Sequence, residues 1–276
     1  MLVAPEVRLV RAANPSPMTL EGTNSYLVGT GAVALIDPGP DDPAHVEALL
    51  AAARPLGRIA ALLVTHHHPD HLPAARVLRE RTGAPLLGHP DLPGCDRALA
   101  DGEVVRVGAT ELRAIATPGH TPDHLCFLRV ADGVLFSGDH VLGRGTTVIN
   151  PGDGDLAAYL DALRKLQGLA LTRILPGHGP VGADPAAKLA ESYEHPLLRE
   201  RQVLAALAAG PRTVAELVAA IYQEVVPRLH PVAARIVTAT SSTWRGSISS
   251  VTIGRPVSSR ASRRISSAAW PSPWKV

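Results

Sequence analysis

Over the first ~180 residues, short β-like apolar runs alternate with amphipathic helical stretches. The strands this predicts are Val7–Ala12, Asn24–Gly29, Ala32–Ile36, Arg58–Thr65, Ala84–Gly88, Glu103–Val107, Glu111–Ala116, Leu125–Val130, Val134–Ser137 and Arg173–Leu175. The helices are Pro43–Arg54, Leu72–Arg81 and Leu156–Leu166. Gly83 is placed to end the second helix in a left-handed turn, and Asp155 to cap the third. Many short strands with few helices between them predict two sheets covered by helices rather than a strict βαβ repeat.

From about Pro185 the pattern turns helical. Pro185–Ala209 reads as one long helix or two, stopped by Gly210-Pro211. Thr213-Val214-Ala215-Glu216 is a capping box opening a short helix to about Gln223, and Pro227–Val237 is a further helix candidate. Residues 1–184 are thus expected to form the main domain and 185–237 a small helix-turn-helix-like module. After Val237 the character breaks. Residues 238–276 are rich in serine and arginine, carry all three tryptophans and hold no acidic residue. They read as a basic tail or, preferably, as an out-of-frame translation of a GC-rich coding sequence. Sequencing the gene and finding an intact frame would count against the latter.

Composition narrows the class. With 46% apolar and 19% charged residues in 276, the chain can bury a core, though aromatics are only 3% and Ala, Leu and Val must fill it. Cys95 and Cys126 stand far apart, which excludes a disulfide scaffold or a cysteine-zinc module; both read as buried small hydrophobes. No apolar signal core and no membrane-length run is seen, so a cytoplasmic protein is expected. The net charge of +2 is misleading. Residues after Glu224 hold eight basic and no acidic residues, so residues 1–224 carry 19 basic against 25 acidic, a net −6. That balance is no argument that the main body binds nucleic acid and weighs against tight non-specific RNA binding, though a local groove of arginines stays open.

The chemistry concentrates in histidine. Directly after the apolar run Ile59–Val64 comes Thr65-His66-His67-His68-Pro69-Asp70-His71, an H-x-H-x-D-H pattern. Imidazoles two apart at a strand end can point into one space, and the following Asp and His can serve a second ion beside the first. Imidazole and carboxylate are the ligands zinc takes when thiolates are absent. A mere surface histidine patch fits poorly with a buried strand and a stiffening proline. Three further segments follow predicted strands and set a potential ligand beside glycine: Pro118-Gly119-His120, Gly138-Asp139-His140 and Pro176-Gly177-His178. Each alone is weak; together, in this order, they are strong.

With these motifs the chain resembles the metallo-β-lactamase fold superfamily of metallohydrolases, from about Asn14 to His178. Within it, Asn14–Val28, Gly143–Pro151 and the stretch around Glu194–Gln202 resemble the lactamase-β-like protein 2 subgroup; glyoxalase II is a more distant relative. The resemblance implies a four-layer αββα sandwich (α/β, or α+β) with a small, winged-helix-like C-terminal domain, here incomplete. It implies one zinc on His66, His68 and His120, a second on Asp70, His71 and His178, and Asp139 bridging them. Iron or manganese would also accept these donors. A bridging hydroxide would then attack the substrate, with Asp70 and Asp139 as the catalytic carboxylates.

The substrate stays open. A single-stranded RNA phosphodiester and a small-molecule thioester need the same nucleophile, while β-lactam hydrolysis is disfavoured by the missing export signal. A nucleic-acid- or partner-binding module with a structural metal is the other class, and a paired site argues against it. Among the remaining histidines, His67 is expected to point away, His124 and His140 either to support the site or touch substrate or to play simple structural roles, and His195 is placed where it could line the cleft. His45, His89 and His230 read as surface or packing residues. Asp37 reads as turn-stabilising or as a support beneath a ligand, and Asp123 as a loop residue.

Overall fold

Three bodies of buried apolar side chains lie one behind another, separated by two β-sheets. The computed structural model describes residues 1–238 except 151, 183, 209, 211, 224–229, 231, 232 and 236. The first sheet runs in the order β1 (Leu2–Ala4), β2 (Val7–Arg11), β3 (Asn24–Val28), β4 (Gly31–Ile36), β5 (Gly57–Leu63), β6 (Leu86–Gly88) and β7 (Arg97–Ala98). The second, in order across the sheet, is β12 (Arg173–Pro176), β11 (Val134–Gly138), β10 (Leu125–Arg129), β9 (Thr110–Ala116) and β8 (Val104–Val107). Strands β4 to β7 run parallel to one another, as do β11 and β12; the other pairs are antiparallel.

The period-2 alternation of each strand sorts its side chains between two interfaces. Tyr26, Val28, Ala34, Ile36 and Leu63 face Leu112, Phe127, Phe136 and Leu175 across the inter-sheet core. Tyr26 and Phe136 meet edge to face at 5.3 Å between ring centroids. Their neighbours Leu27, Val33, Leu35 and Leu62 point the other way, into α1 (Pro43–Ala53) and α2 (Ala74–Thr82). On the second sheet Cys126, Leu135 and Ile174 pack under α3 (Leu156–Gln167) and the first half of α4 (Pro185–Ala208). Because both faces of each sheet are covered, several strands read as unbroken apolar runs. The four-layer αββα sandwich expected from the sequence is therefore what forms.

Every strand expected is present, with ends shifted by no more than about two residues. β1 and β7, of three and two residues, were not foreseen, being too short to show a period. α2 starts at Ala74, two residues later than the pattern suggests, with Pro73 before it. α3 is capped by Asp155, which accepts from the Ala158 N–H, and α2 ends on left-handed Gly83.

The long C-terminal pattern is one helix, α4, running through Pro196. α5 (Val214–Ile221) opens with both halves of the capping box between Thr213 and Glu216. The far end of α4 and α5 share a separate apolar cluster with Tyr222, Ala233 and Val237. The tail 239–276 and most of the Pro227–Val237 candidate lie outside the described residues. Among the described residues no helix is long and apolar enough to cross a membrane.

Candidate metal centre

All seven residues singled out as ligands meet at the ends of strands. His66, His68, Asp70 and His71 follow β5; His120 follows β9; Asp139 follows β11; His178 follows β12. The apolar strands are held rigidly between two cores, so the polar loops at their ends are fixed. Gly119 makes one approach possible. It has φ +134°, and a Cβ there would lie 2.4 Å from the Tyr159 backbone.

The donors fall into two groups. Ligand atoms of His66, His68, His120 and Asp139 lie within 4.8 Å of one another, as do those of Asp70, His71 and His178. In the first, His68 Nδ1 is 3.0 Å from His66 Nε2 and 3.1 Å from His120 Nε2. In the second, His178 Nε2 is 3.0 Å from Asp70 Oδ2 and 3.3 Å from His71 Nε2. Asp139 lies between them. Its Oδ1 is 3.3 Å from His178 Nε2 and 3.4 Å from His71 Nε2, while Oδ2 is 3.7 Å from His120 Nε2. Asp139 Oδ1 is buried and finds no hydrogen bond among the described residues. His67, His68 and Asp153 form a third, more exposed group that shares His68.

The outward-facing ring nitrogens are tied down, and this sets the tautomers. His120 Nδ1 donates to the Val148 carbonyl at 2.9 Å, and His71 Nδ1 donates to Asp37 Oδ2 at 2.9 Å. His66 Nδ1 lies 2.9 Å from the Thr65 hydroxyl, which itself donates to Asp37 Oδ2 at 2.9 Å. The second Asp37 oxygen accepts the Thr65 N–H. One buried carboxylate therefore orients a histidine in each group, and leaves each Nε2 lone pair facing inward. Lone pairs converging at about 3 Å repel unless a cation lies among them. The donor set fits divalent metal ions.

The charge balance says the same. Burial opposes charge on His178, but Asp139 and Asp70 outweigh it and lift its pKa to about 9. Burial would raise the Asp70 carboxyl, yet His71 and His178 pull it down to about 2. Burial also disfavours a proton on His66, His120 and His124, and their pKa values fall. The carboxylate-rich group thus demands positive charge, while the histidine-rich group offers neutral nitrogens.

Around these groups the structure assigns the other polar residues. His124 Nε2 accepts the Asp139 N–H at 3.2 Å, and its Nδ1 meets the Thr117 hydroxyl at 2.9 Å. His140, for which the sequence left a supporting and a simply structural role open, packs against Tyr159 and lies 5.6 Å from the His124 ring, with both ring nitrogens buried and unpartnered among the described residues. His67 turns away, as expected, and meets Asp123 at 2.9 Å; Asp123 is thereby more than a loop residue. His45 is buried against the Ser25 hydroxyl. Cys126 is buried and its thiol pKa is pushed up to about 12; Cys95 is partly exposed.

Two supports escaped the sequence. Asn24 donates to the carbonyls of Pro176 and Gly179, both at 3.0 Å, and so grips the loop carrying His178. Thr23 accepts from Asn14 and donates to Asp70 Oδ2 at 3.3 Å. Asp37→Asn keeps the shape and tolerates the left-handed φ of +52° at this position. It is expected to lower metal affinity by roughly 10- to 100-fold, as competition with a chromogenic chelator would show. Unchanged affinity would mean that Asp37 only stabilises its turn.

A cavity of about 330 Å³ opens on His120 and Asp139 and is walled by Leu20, Leu142, Val148 and, from the C-terminal helices, His195 and Arg199. Comparison with known proteins agrees with the geometry. Residues 18–94 and 90–178 match the model of the metallo-beta-lactamase superfamily. The chain is 39% identical over 241 residues to an atrochrysone carboxyl ACP thioesterase of Aspergillus fumigatus, covering 80% of this chain and 75% of that protein. It is 38% identical over 209 residues to the beta-lactamase-like protein 2 homolog of Caenorhabditis elegans, covering 70% and 68%. A beta-lactamase domain protein from Burkholderia ambifaria superposes with a TM-score of 0.77 at 26% identity, covering 88% of this chain and 87% of that one.

Proposed function

We propose, from the premise that this chain belongs to the metallo-β-lactamase superfamily, that it hydrolyses an acyl thioester at a two-metal centre. The chain is a metal-dependent hydrolase of that fold; the substrate and the metals are our reading. His66, His68 and His120 would hold one ion and Asp70, His71 and His178 the other, with Asp139 shared. Zinc suits this nitrogen-oxygen set, as do iron and manganese. When bound, such ions supply Lewis acidity and a nucleophile at neutral pH.

The chain does the rest. His124 fixes the Asp139 backbone through its N–H, so that each carboxylate oxygen faces one group. Asp70, steadied by the Thr23 hydroxyl, orients the attacking water. Asp37 and Thr65 keep the imidazoles turned inward. The apolar wall of the cavity excludes bulk water and seats the acyl group with its carbonyl at His120 and Asp139.

The observation that carries the thioester reading is that cavity. It is small and walled chiefly by apolar side chains, and of its two arginines Arg144 is already paired with Glu21. A single-stranded RNA would ask instead for a row of unpaired Lys and Arg and aromatic platforms. The net −6 of residues 1–224 and the thioesterase named among the relatives point the same way. The test is thiol release from an acyl pantetheine thioester by protein of measured metal content, with labelled single-stranded RNA in parallel. Thiol release lost on chelation and restored by metal is the expected result. RNA cleavage with the thioester left intact overturns the reading.

A further inference from the structure

The cavity that meets the metal centre is walled on one side by the helical C-terminal region, and that wall carries a charge unmatched among the described residues. Arg199 of α4 and Tyr222, just after α5, both line it. The Arg199 guanidinium lies 4.5 Å above the Tyr222 ring, and its Nη1 donates to Gln202 Oε1 and to the Ile221 carbonyl. Arg199 is thus held in one orientation. Yet its Nε is buried without an acceptor, and the Tyr222 hydroxyl is buried without a partner, among the described residues. No described carboxylate forms an ion pair with Arg199, whereas Arg144 and Lys188 each have one. His195, on the same wall, adds no negative charge. Burial and the neighbouring Arg199 push its pKa down, and its Nδ1 is 3.1 Å from the Thr146 hydroxyl.

Arg199 is only half-buried, and its two hydrogen bonds and the Tyr222 ring hold it in place without a counter-ion among the described residues. A fixed cation on the cavity wall, with no carboxylate partner among the described residues, suits an oxygen anion presented by a ligand. The same cavity touches His120 and Asp139, so a single bound molecule spans the two features.

We propose that Arg199 and Tyr222 are specificity-determining residues, and that the acyl groups this enzyme accepts carry an anionic oxygen, in the simplest case a carboxylate, remote from the thioester carbon. The inference rests on the thioesterase reading and adds the substrate class. The volume of about 330 Å³ lies at the small end of ligand sites and limits the acyl body to a short chain or one or two rings.

The experiment compares two N-acetylcysteamine thioesters of equal length, the hexanedioic monoacyl and the heptanoyl, on the metal-loaded full chain. The wild type is expected to favour the carboxylated substrate in kcat/KM. In Arg199→Met that preference falls by roughly 10- to 100-fold, the usual effect of losing hydrogen bonds to a charged group, mainly through KM. The heptanoyl substrate is expected to change little. Tyr222→Phe keeps the ring under Arg199 and removes only the hydroxyl, so it gives a smaller fall in a protein whose helices remain packed. Equal handling of both substrates by the wild type, or an unchanged ratio in Arg199→Met, overturns the proposal. If neither thioester is cleaved, the thioesterase reading fails separately. Calorimetric binding of the matching uncleavable thioethers then decides: an Arg199-dependent preference for the carboxylated one supports the anion site, and no preference removes it.

Discussion

Asp139→Ala is expected to abolish hydrolysis and leave the protein with less than its full metal complement. The two oxygens of this one carboxylate face the two donor groups, and Oδ1 has no hydrogen bond to hold it otherwise. Removing even an outer partner of a metal ligand typically costs 10- to 100-fold, so a shared ligand should cost at least about a hundredfold in kcat/KM. Elemental analysis after desalting, beside the rate of thiol release, reads both effects. Melting curves of wild type and variant under chelation separate loss of the site from loss of the fold. A variant that keeps two metals and wild-type turnover would remove Asp139 from the centre.

Gly177→Ala should disable the site through a single methyl group. The φ here is ordinary, so the effect is one of space. A Cβ would stand 2.6 Å from Asp139 Oδ1 and 2.7 Å from His71 Cε1, between a residue of each sheet's ligand set. His71 is tied to Asp37, and Asp139 Oδ1 is hemmed in by His71 at 3.4 Å and His178 at 3.3 Å. Overpacking of this kind costs about 1–3 kcal/mol and displaces what it touches. We expect a melting temperature lower by several degrees and metal binding weakened by more than tenfold. Gly182→Ala, whose Cβ meets nothing nearer than 3.8 Å, is the matched control. Normal metal content in Gly177→Ala would show that the two ligand sets are less tightly juxtaposed than described.

What could be read from the sequence follows from where its signals are concentrated. The histidine run after β5 and the glycine-flanked ligands after β9, β11 and β12 stand out because polar residues follow apolar strands abruptly. Two sheets covered by helices were legible in the many short strands with few helices between them, and the four αββα layers came from the resemblance. Asn24 and Thr23 gave no such signal. They are single polar residues at the start of a strand, and their partners lie some 150 and 50 residues away, at Pro176 and Asp70. Asp37 could be suspected beside a turn, but not its simultaneous hold on Thr65 and His71. His140 shows what adjacency cannot decide. Its place beside Asp139 in sequence left a supporting and a structural role open, and its ring lies against Tyr159 and 5.6 Å from that of His124. The Arg199–Tyr222 pair needed the path of α4 through Pro196, where the pattern of Pro185–Ala209 allowed one helix or two.

The placement of the ligands gives the centre a second office. Residues 66–71 belong to one sheet, and 120, 139 and 178 to the other, so neither donor group is complete within either half of the sandwich. An ion held by either group therefore clasps the two sheets. Occupancy and the docking of the halves become one linked equilibrium, in which each tenfold rise in free metal above the dissociation constant adds about 1.4 kcal/mol against separation. Removal of the metal is therefore expected to lower resistance to unfolding and proteolysis together with activity, which melting curves with and without a chelator would read.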